Sequence, residues 1–338
     1  MDKFLIIQTA FIGDAVLTLP MIQKLAELRS DSIIDVVCIP STREIFSASP
    51  FVNEVLTMDK RGEHRSLKGM LKFINNIKAN NYNRIYSPHR SFRTSLIVLL
   101  SGVRDTIGFS NSAVKFVYKN IVEYRYDRHE VQRNFDLIKF IYNDDNWRVR
   151  PELNITEIMK NKISDFLKTN NIGKGFISIG PGSVWTTKRY PFEYFIDIIY
   201  FLLEKGKQVV LIGGSKDAEI TSMILSKFNK DVFDSAGQFS LIESVELLRN
   251  SALLVTNDSA PTHLAMCADI KVLTIYCSTI PGFGFYPYNK MSRYINYNDL
   301  YCKPCGVHGY DKCPVHTFDC GKKLIPEQVI KTISEMIN

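Results

Sequence analysis

The chain has 338 residues, long enough for two ordinary domains, so a single small module is excluded. Apolar residues make up 45% and charged residues 23%, the balance of a folded globular protein rather than a disordered or fibrous one. A total of 42 basic against 35 acidic residues gives a formal charge of +7, an excess that suits phosphates, acidic ligands or an anionic membrane surface and does not by itself indicate nucleic acid.

Short β-branched or apolar runs alternate with longer helical stretches. Strands are predicted at 4–8, 33–39, 55–58 and 84–87, with helical periodicity at 21–28, 67–79 and 94–100. A polar stretch, 142–171, begins with Asn143, Asp144, Asp145 and Asn146 and reads as a linker with a connecting helix near 155–167. The pattern then restarts: strand 176–179, helix 192–204, strand 209–212, helices 218–228 and 240–250, and strands 253–255 and 272–276. Repeated strand–helix–strand units imply parallel sheets. The expected fold is α/β, two Rossmann-like doubly wound domains facing across a cleft, divided as 1–165 and 166–325, with a final helix in 326–338 that could return to the first domain. Ligands of such folds bind in loops at the carboxyl ends of strands. No solenoid repeat or low-complexity segment is visible.

The longest apolar runs, 96–100 and 195–203, are too short for a spanning helix or are broken by Asp197, and no basic region followed by a long apolar segment opens the chain. The expected location is the cytosol.

Four loops after strands carry chemistry. After the first strand, Gly13 and Asp14 replace the glycine-rich dinucleotide fingerprint, which is absent, and this weakens a hydride-transfer reading. Asp14 is either a general base projecting toward a ligand or a cap of the following helix, and Pro20 requires that helix to kink or to begin near Leu19. After strand 176–179, Gly182 and Ser183 precede Lys188 and Arg189, cations placed to meet a diphosphate near a helix N-terminus. Gly213, Gly214 and Asp217 follow the next strand, where Asp217 or Glu219 could accept from ribose hydroxyls or simply open a helix. Finally Asp258, Ser259, Ala260, Pro261, Thr262 and His263 open a helix whose amides at 259, 260 and 262 would cradle a phosphate, with His263 at its mouth.

Together these residues resemble family nine glycosyltransferases, the lipopolysaccharide heptosyltransferases, and particularly the heptosyltransferase II branch. The resemblance spans nearly the whole chain. It is carried by Gly13-Asp14 with Thr18-Leu19-Pro20, by His129, Arg133 and Asn134, by Lys188-Arg189-Tyr190-Pro191, by Gly213 to Asp217 and by Thr256 to His263. It implies a two-domain B-type glycosyltransferase, with an acceptor on the first domain and an ADP-sugar on the second. It further implies inverting transfer with Asp14 as catalytic carboxylate and Lys188 as the diphosphate-binding cation. The implied donor site adds Gly182, Ser183, Gly214, Asp217, Glu219, Asp258, Ser259, Ala260 and His263; Ala260 departs from the glycine common at that place in the motif. Gly13 and the cations His89, Arg90, Arg93, His129 and Arg133 would meet an anionic saccharide or glycolipid acceptor. No catalytic metal and no nucleic-acid partner are expected, and contact with the cytoplasmic face of the inner membrane is compatible with the reading. The alternatives are a nucleotide-sugar epimerase on the same scaffold and a non-catalytic nucleotide-binding protein.

Four of the seven cysteines form a C-x2-C-x7-C-x6-C segment, Cys302, Cys305, Cys313 and Cys320. Four thiolates at this spacing suit a closed structural zinc or iron site, and the alternative is a loop of reduced thiols. Similar segments occur in heptosyltransferase II-like proteins, and a cysteine-bound iron is known in related autotransporter heptosyltransferases.

Overall fold

The computed structural model describes residues 1–142 and 146–337, so the start of the expected linker at residues 143–145 lies outside the described residues. Contacts divide the chain into two compact units, Met1–Asn154 and Ile155–Asn338.

The first unit runs β1 (Lys3–Ile7), α1 (Ile12–Leu28), β2 (Ile33–Cys38), α2 (Arg43–Ser47), β3 (Glu54–Thr57), α3 (Leu67–Ala79), β4 (Arg84–Ser87), α4 (Phe92–Leu100), β5 (Asp105–Phe109), β6 (Asn120–Val122) and α5 (Glu130–Asp136). Its six strands are parallel in the order β3-β2-β1-β4-β5-β6. Right-handed crossovers put the helices of leftward steps on one face and those of rightward steps on the other. Accordingly Met70, Phe73, Ile74 and Ile77 of α3 share a core with Ile97 and Val98 of α4 against Leu5, Ile7 and Ile85 of the sheet. The opposite layer pairs α1 with α2 and α5.

The second unit runs α6 (Glu157–Thr169), β7 (Phe176–Gly180), α7 (Phe192–Glu204), β8 (Val209–Leu211), α8 (Ala218–Leu225), β9 (Val232–Asp234), α9 (Leu241–Arg249), β10 (Ser251–Asn257), α10 (Ala260–Ala268), β11 (Lys271–Tyr276), β12 (Arg293–Asn296), α11 (Asp319–Lys322) and α12 (Pro326–Ile337). Its parallel sheet has the order β12-β11-β10-β7-β8-β9. Ile177, Ile179, Phe195, Ile199, Leu253, Val255, Ile275, Val329 and Ile333 form its core.

Two expectations change and one alternative is settled. The connecting helix α6 belongs to the second unit: it packs on α9, and Lys162 pairs with Glu243 at 2.7 Å, so the division falls after Asn154 instead of 165. The final helix belongs to the second unit. It packs on α7 and β10, where Val329 and Ile333 are fully buried and Lys271 Nζ donates to the Met336 carbonyl at 2.6 Å. And α1 begins at Ile12 with Pro20 inside it, so the residue costs one backbone hydrogen bond without ending the helix.

Candidate active site

In each sheet the strand order reverses direction at one point, and loops leaving the two strands there create a natural binding position. In the first unit the reversal lies between β1 and β4, which are hydrogen-bonded neighbours. Their exit loops meet: His89 donates its backbone N–H to the Ile7 carbonyl at 3.4 Å, and its Nδ1 lies 2.8 Å from the Thr9 hydroxyl and 2.8 Å from the Thr94 hydroxyl.

Asp14 occupies the first turn of α1, where its Oδ2 accepts from the Phe11 N–H at 3.3 Å. The carboxylate is thus both a cap and a half-buried acid. Burial, followed by the nearby Glu130 charge, pushes it from 3.8 up to about 7, against the opposing pull of Arg90. A base held near neutrality is what proton removal from a sugar hydroxyl needs. Lys60 reaches the same loop from the end of β3, donating Nζ to the Thr9 carbonyl at 2.7 Å, and Arg93 Nη1 donates to the Lys60 carbonyl at 3.5 Å. Burial, then the Arg93 charge, lowers the Lys60 pKa. Arg90 lies over the Tyr124 ring, 4.0 Å from its centroid. The local cations are therefore Lys60, Arg90 and Arg93. No strand or motif signal marked Lys60, because only the fold brings it beside Thr9.

The remaining residues expected to meet the acceptor do other work. His89 is not a cation: burial, then Lys60 and Arg90, holds it down at about 3. His129 is 1% exposed, caps α5 by accepting from the Val131 N–H at 3.2 Å, and stacks on Trp147 at 4.8 Å. Arg133, also 1% exposed, spends its guanidinium on the Tyr124 hydroxyl and Glu130, both at 2.9 Å, and on the Arg125 and Tyr126 carbonyls at 2.7 and 2.8 Å. A buried guanidinium so surrounded is a structural group. Its role here is indirect, since the same Glu130 raises the Asp14 pKa.

In the second unit the reversal lies between β7 and β10. Asn257, fully buried at the end of β10, ties the loop after β7 down, with Nδ2 donating to the Pro181 carbonyl at 2.7 Å and Oδ1 accepting from the Tyr190 N–H at 3.0 Å. Lys188 is thereby held with Nζ 2.7 Å from Asp258 Oδ2, which also accepts from the Thr279 hydroxyl at 2.6 Å. Arg189, in contrast, donates Nε to the Ser183 carbonyl at 2.8 Å and braces the loop.

α10 begins beside this pair with extended Ser259 at its N-cap and Pro261 in its first turn. The Thr262 amide is engaged with the Ser259 carbonyl at 3.1 Å, so the expected cradle narrows to the amides nearer the helix mouth. His263 is 5% exposed, its Nδ1 has no hydrogen-bond partner, and burial followed by the Lys188 charge, against Asp258, lowers it to about 4. Ser278 Oγ, after β11, is likewise buried and unpartnered. Orphaned buried polar atoms beside a lysine and a helix N-terminus are suited to an anionic ligand.

Gly182 and Gly213 pack on Asp217 so closely that a Cβ on either would collide with its side chain. The Asp217 carboxylate itself accepts from the Gly214 N–H at 2.9 Å, which leaves the exposed Glu219 as the acid with an uncommitted head in the first turn of α8.

The cysteine loop braces the lysine loop. Thr187 Oγ1 donates to the Tyr310 carbonyl at 2.9 Å and accepts from the Tyr310 N–H at 2.8 Å, while the Thr187 N–H donates to that carbonyl at 3.0 Å. Trp185 stacks on His308. None of the seven cysteines is in a disulfide. Among the described residues no group of three or more His, Cys, Asp or Glu side chains is placed to hold a metal ion, so the tetrahedral set of Cys302, Cys305, Cys313 and Cys320 is not formed. In the same loop Lys303 Nζ donates to the Tyr276 and Tyr297 carbonyls at 3.1 and 3.0 Å, and burial lowers its pKa against the charges of Cys277, Cys320 and Cys305. Burial pushes Cys320 up to about 11, which favours the thiol.

The profile of glycosyltransferase family 9 (heptosyltransferase) matches residues 70–313. Lipopolysaccharide heptosyltransferase 2 of Salmonella typhimurium is 25% identical over 308 residues, covering 83% of this chain and 84% of that protein. Among solved structures, a family 9 glycosyl transferase from Veillonella parvula superposes with a TM-score of 0.88 at 20% identity, over 100% of this chain and 98% of that one. The E. coli ADP-heptose heptosyltransferase II superposes with a TM-score of 0.78 at 23% identity, over 99% and 98%.

Proposed function

Since the chain belongs to glycosyltransferase family 9, the heptosyltransferase family, we propose that it transfers a heptose from ADP-heptose to a hydroxyl of a lipopolysaccharide core acceptor, inverting the anomeric carbon. The observation that carries the reading is Asp14, a carboxylate pushed up to about 7 at the mouth of the first unit's strand reversal. Asp14 takes the acceptor proton while the acceptor oxygen bonds to the anomeric carbon and the bond from that carbon to the diphosphate breaks. Negative charge then grows on the departing ADP. Lys188, held at 2.7 Å by Asp258, and the free amides at the mouth of α10 stabilise it, as a divalent ion does in other sugar transferases.

His263 Nδ1 and Ser278 Oγ, both without a partner, are the buried groups a donor phosphate would satisfy. Glu219 is assigned to the ribose hydroxyls. Lys60, Arg90 and Arg93 meet an anionic saccharide. The work site is the cytoplasmic face of the inner membrane, with a glycolipid acceptor. Among the described residues no helix is long and apolar enough to cross a membrane. The epimerase and non-catalytic alternatives are not favoured, because the family match is to heptosyltransferases.

The test is Asp14→Asn assayed with purified ADP-heptose and a heptose-deficient core acceptor. Transfer should fall by about 10²–10⁴ while ADP binding persists. Undiminished transfer would remove Asp14 from the role of base.

A further inference from the structure

The first unit carries an amphipathic face that the reaction does not use. α3 and α4 lie in the same layer on the sheet, and the turn at Lys115–Val117 packs beside α4. On the outer side of this layer Leu67 is 82% exposed, Phe116 83% and Phe92 65%, and Leu71 and Leu99 are also exposed. Phe92, Leu96 and Leu99 follow the i, i+4, i+7 spacing of a single helix face, the outward one, while Ile97 and Val98 point into the core. Large apolar side chains grouped on one layer of a water-facing helix pair call for a covering.

The charges around them name the covering. Residues 61–72 contain four basic residues and one acid, Glu63, which pairs with Lys72 at 3.5 Å. Arg104, Lys115 and Lys119 add three more cations, and all seven basic side chains are exposed. A second copy of the chain set against this face would bring like charge to like charge. A bilayer rich in anionic headgroups matches both features: leucine and phenylalanine enter the headgroup boundary while the long basic side chains remain at the phosphates.

We infer that the α3–α4 layer with Phe116 is a docking surface for an anionic phospholipid membrane. This deepens the peripheral-membrane reading and rests on it only for which membrane is met. Its consequence for catalysis is that an acceptor embedded in a bilayer is reached by surface diffusion.

Flotation of the full chain with phosphatidylcholine vesicles, with and without phosphatidylglycerol, tests it. The protein should float with the anionic vesicles, with binding weakened by added salt. A Phe92→Ser, Leu99→Ser, Phe116→Ser variant and, separately, a Lys115→Glu, Lys119→Glu variant should each bind at least about tenfold more weakly. Both variants should keep ADP binding and transfer to a delipidated, soluble acceptor. That separates failure of the docking surface from failure of the transferase reading, which would show as no transfer to either acceptor form. Failure of the wild type to float, or unchanged flotation of both variants, overturns the proposal. Dimerisation in solution that the triple variant abolishes, without vesicle binding, overturns it in favour of a second copy.

Discussion

At the scale of single residues, Asp14 controls how the protein responds to pH. A general base must be ionised, so kcat/KM should rise with pH through about 7 and level off above it, a profile measured with saturating donor. The same shift has a stability counterpart of opposite sense. A carboxyl raised from 3.8 contributes stability that is fully present below 3.8 and is lost as pH rises through about 7. Asp14→Asn should therefore melt above the wild type on the alkaline side of 7, with the gap closing in acid; equal melting at every pH would show that the carboxyl is not strained by its surroundings. Asp14 and Lys188 stand out in the sequence as candidates because each follows a strand and a glycine-containing loop, and their roles remain proposals. His129 and Arg133 were misread for a physical reason. Their charge suggested a ligand, but nothing in the local sequence reveals that Tyr124, Glu130 and two carbonyls already surround the guanidinium. Lys60 was missed for the converse reason, since its partner Thr9 is 51 residues away.

At the scale of elements, the loop carrying Lys188 has little structure of its own and is held by neighbours. Asn257 pins it from β10, and Thr187 clasps it to Tyr310. Thr187→Val keeps the side-chain shape but strands the Tyr310 N–H, which should cost about 1–3 kcal/mol in denaturant unfolding and lower kcat/KM for ADP-heptose roughly tenfold. A variant as stable and active as the wild type would show that the clasp does not position Lys188. The elements themselves were largely visible. Long periodic helices such as those at 67–79 and 192–204 and buried strands such as 176–179 stand out in the pattern, whereas β6, β9 and β12 are edge strands of 3 to 4 residues with too few positions to show alternation. The cysteine spacing suggested a metal knuckle because spacing reports ligand types and not where the fold puts them: Cys320 is buried in the core of the second unit, whereas Cys302, Cys305 and Cys313 are half-buried in the loop.

At the scale of the whole molecule, the two sheets share one design, a reversal of strand order with a chemically active loop on each side of it. Two domains were foreseeable from length and from the restart of the strand–helix pattern. Their boundary was not, because α6 is amphipathic and polar on its outer side, and only its contact with α9 assigns it to the second unit. Ligand binding should register in the stability of the whole chain. ADP at about 100 times its Kd should raise unfolding free energy by about 2.7 kcal/mol, read as a thermal shift, and Lys188→Ala should abolish most of it. A full shift in that variant would place the diphosphate elsewhere.

The Thr187–Tyr310 clasp also has a meaning for the order in which the protein is made. Its two partners are 123 residues apart, so the second is synthesised long after the first. While the chain is still on the ribosome the first unit can complete its sheet and its acid, but the loop carrying Lys188 lacks its Thr187 clasp until Tyr310 has emerged. A nascent chain is thus without a finished donor loop until Tyr310 has emerged, well after the unit that carries Asp14 has been made.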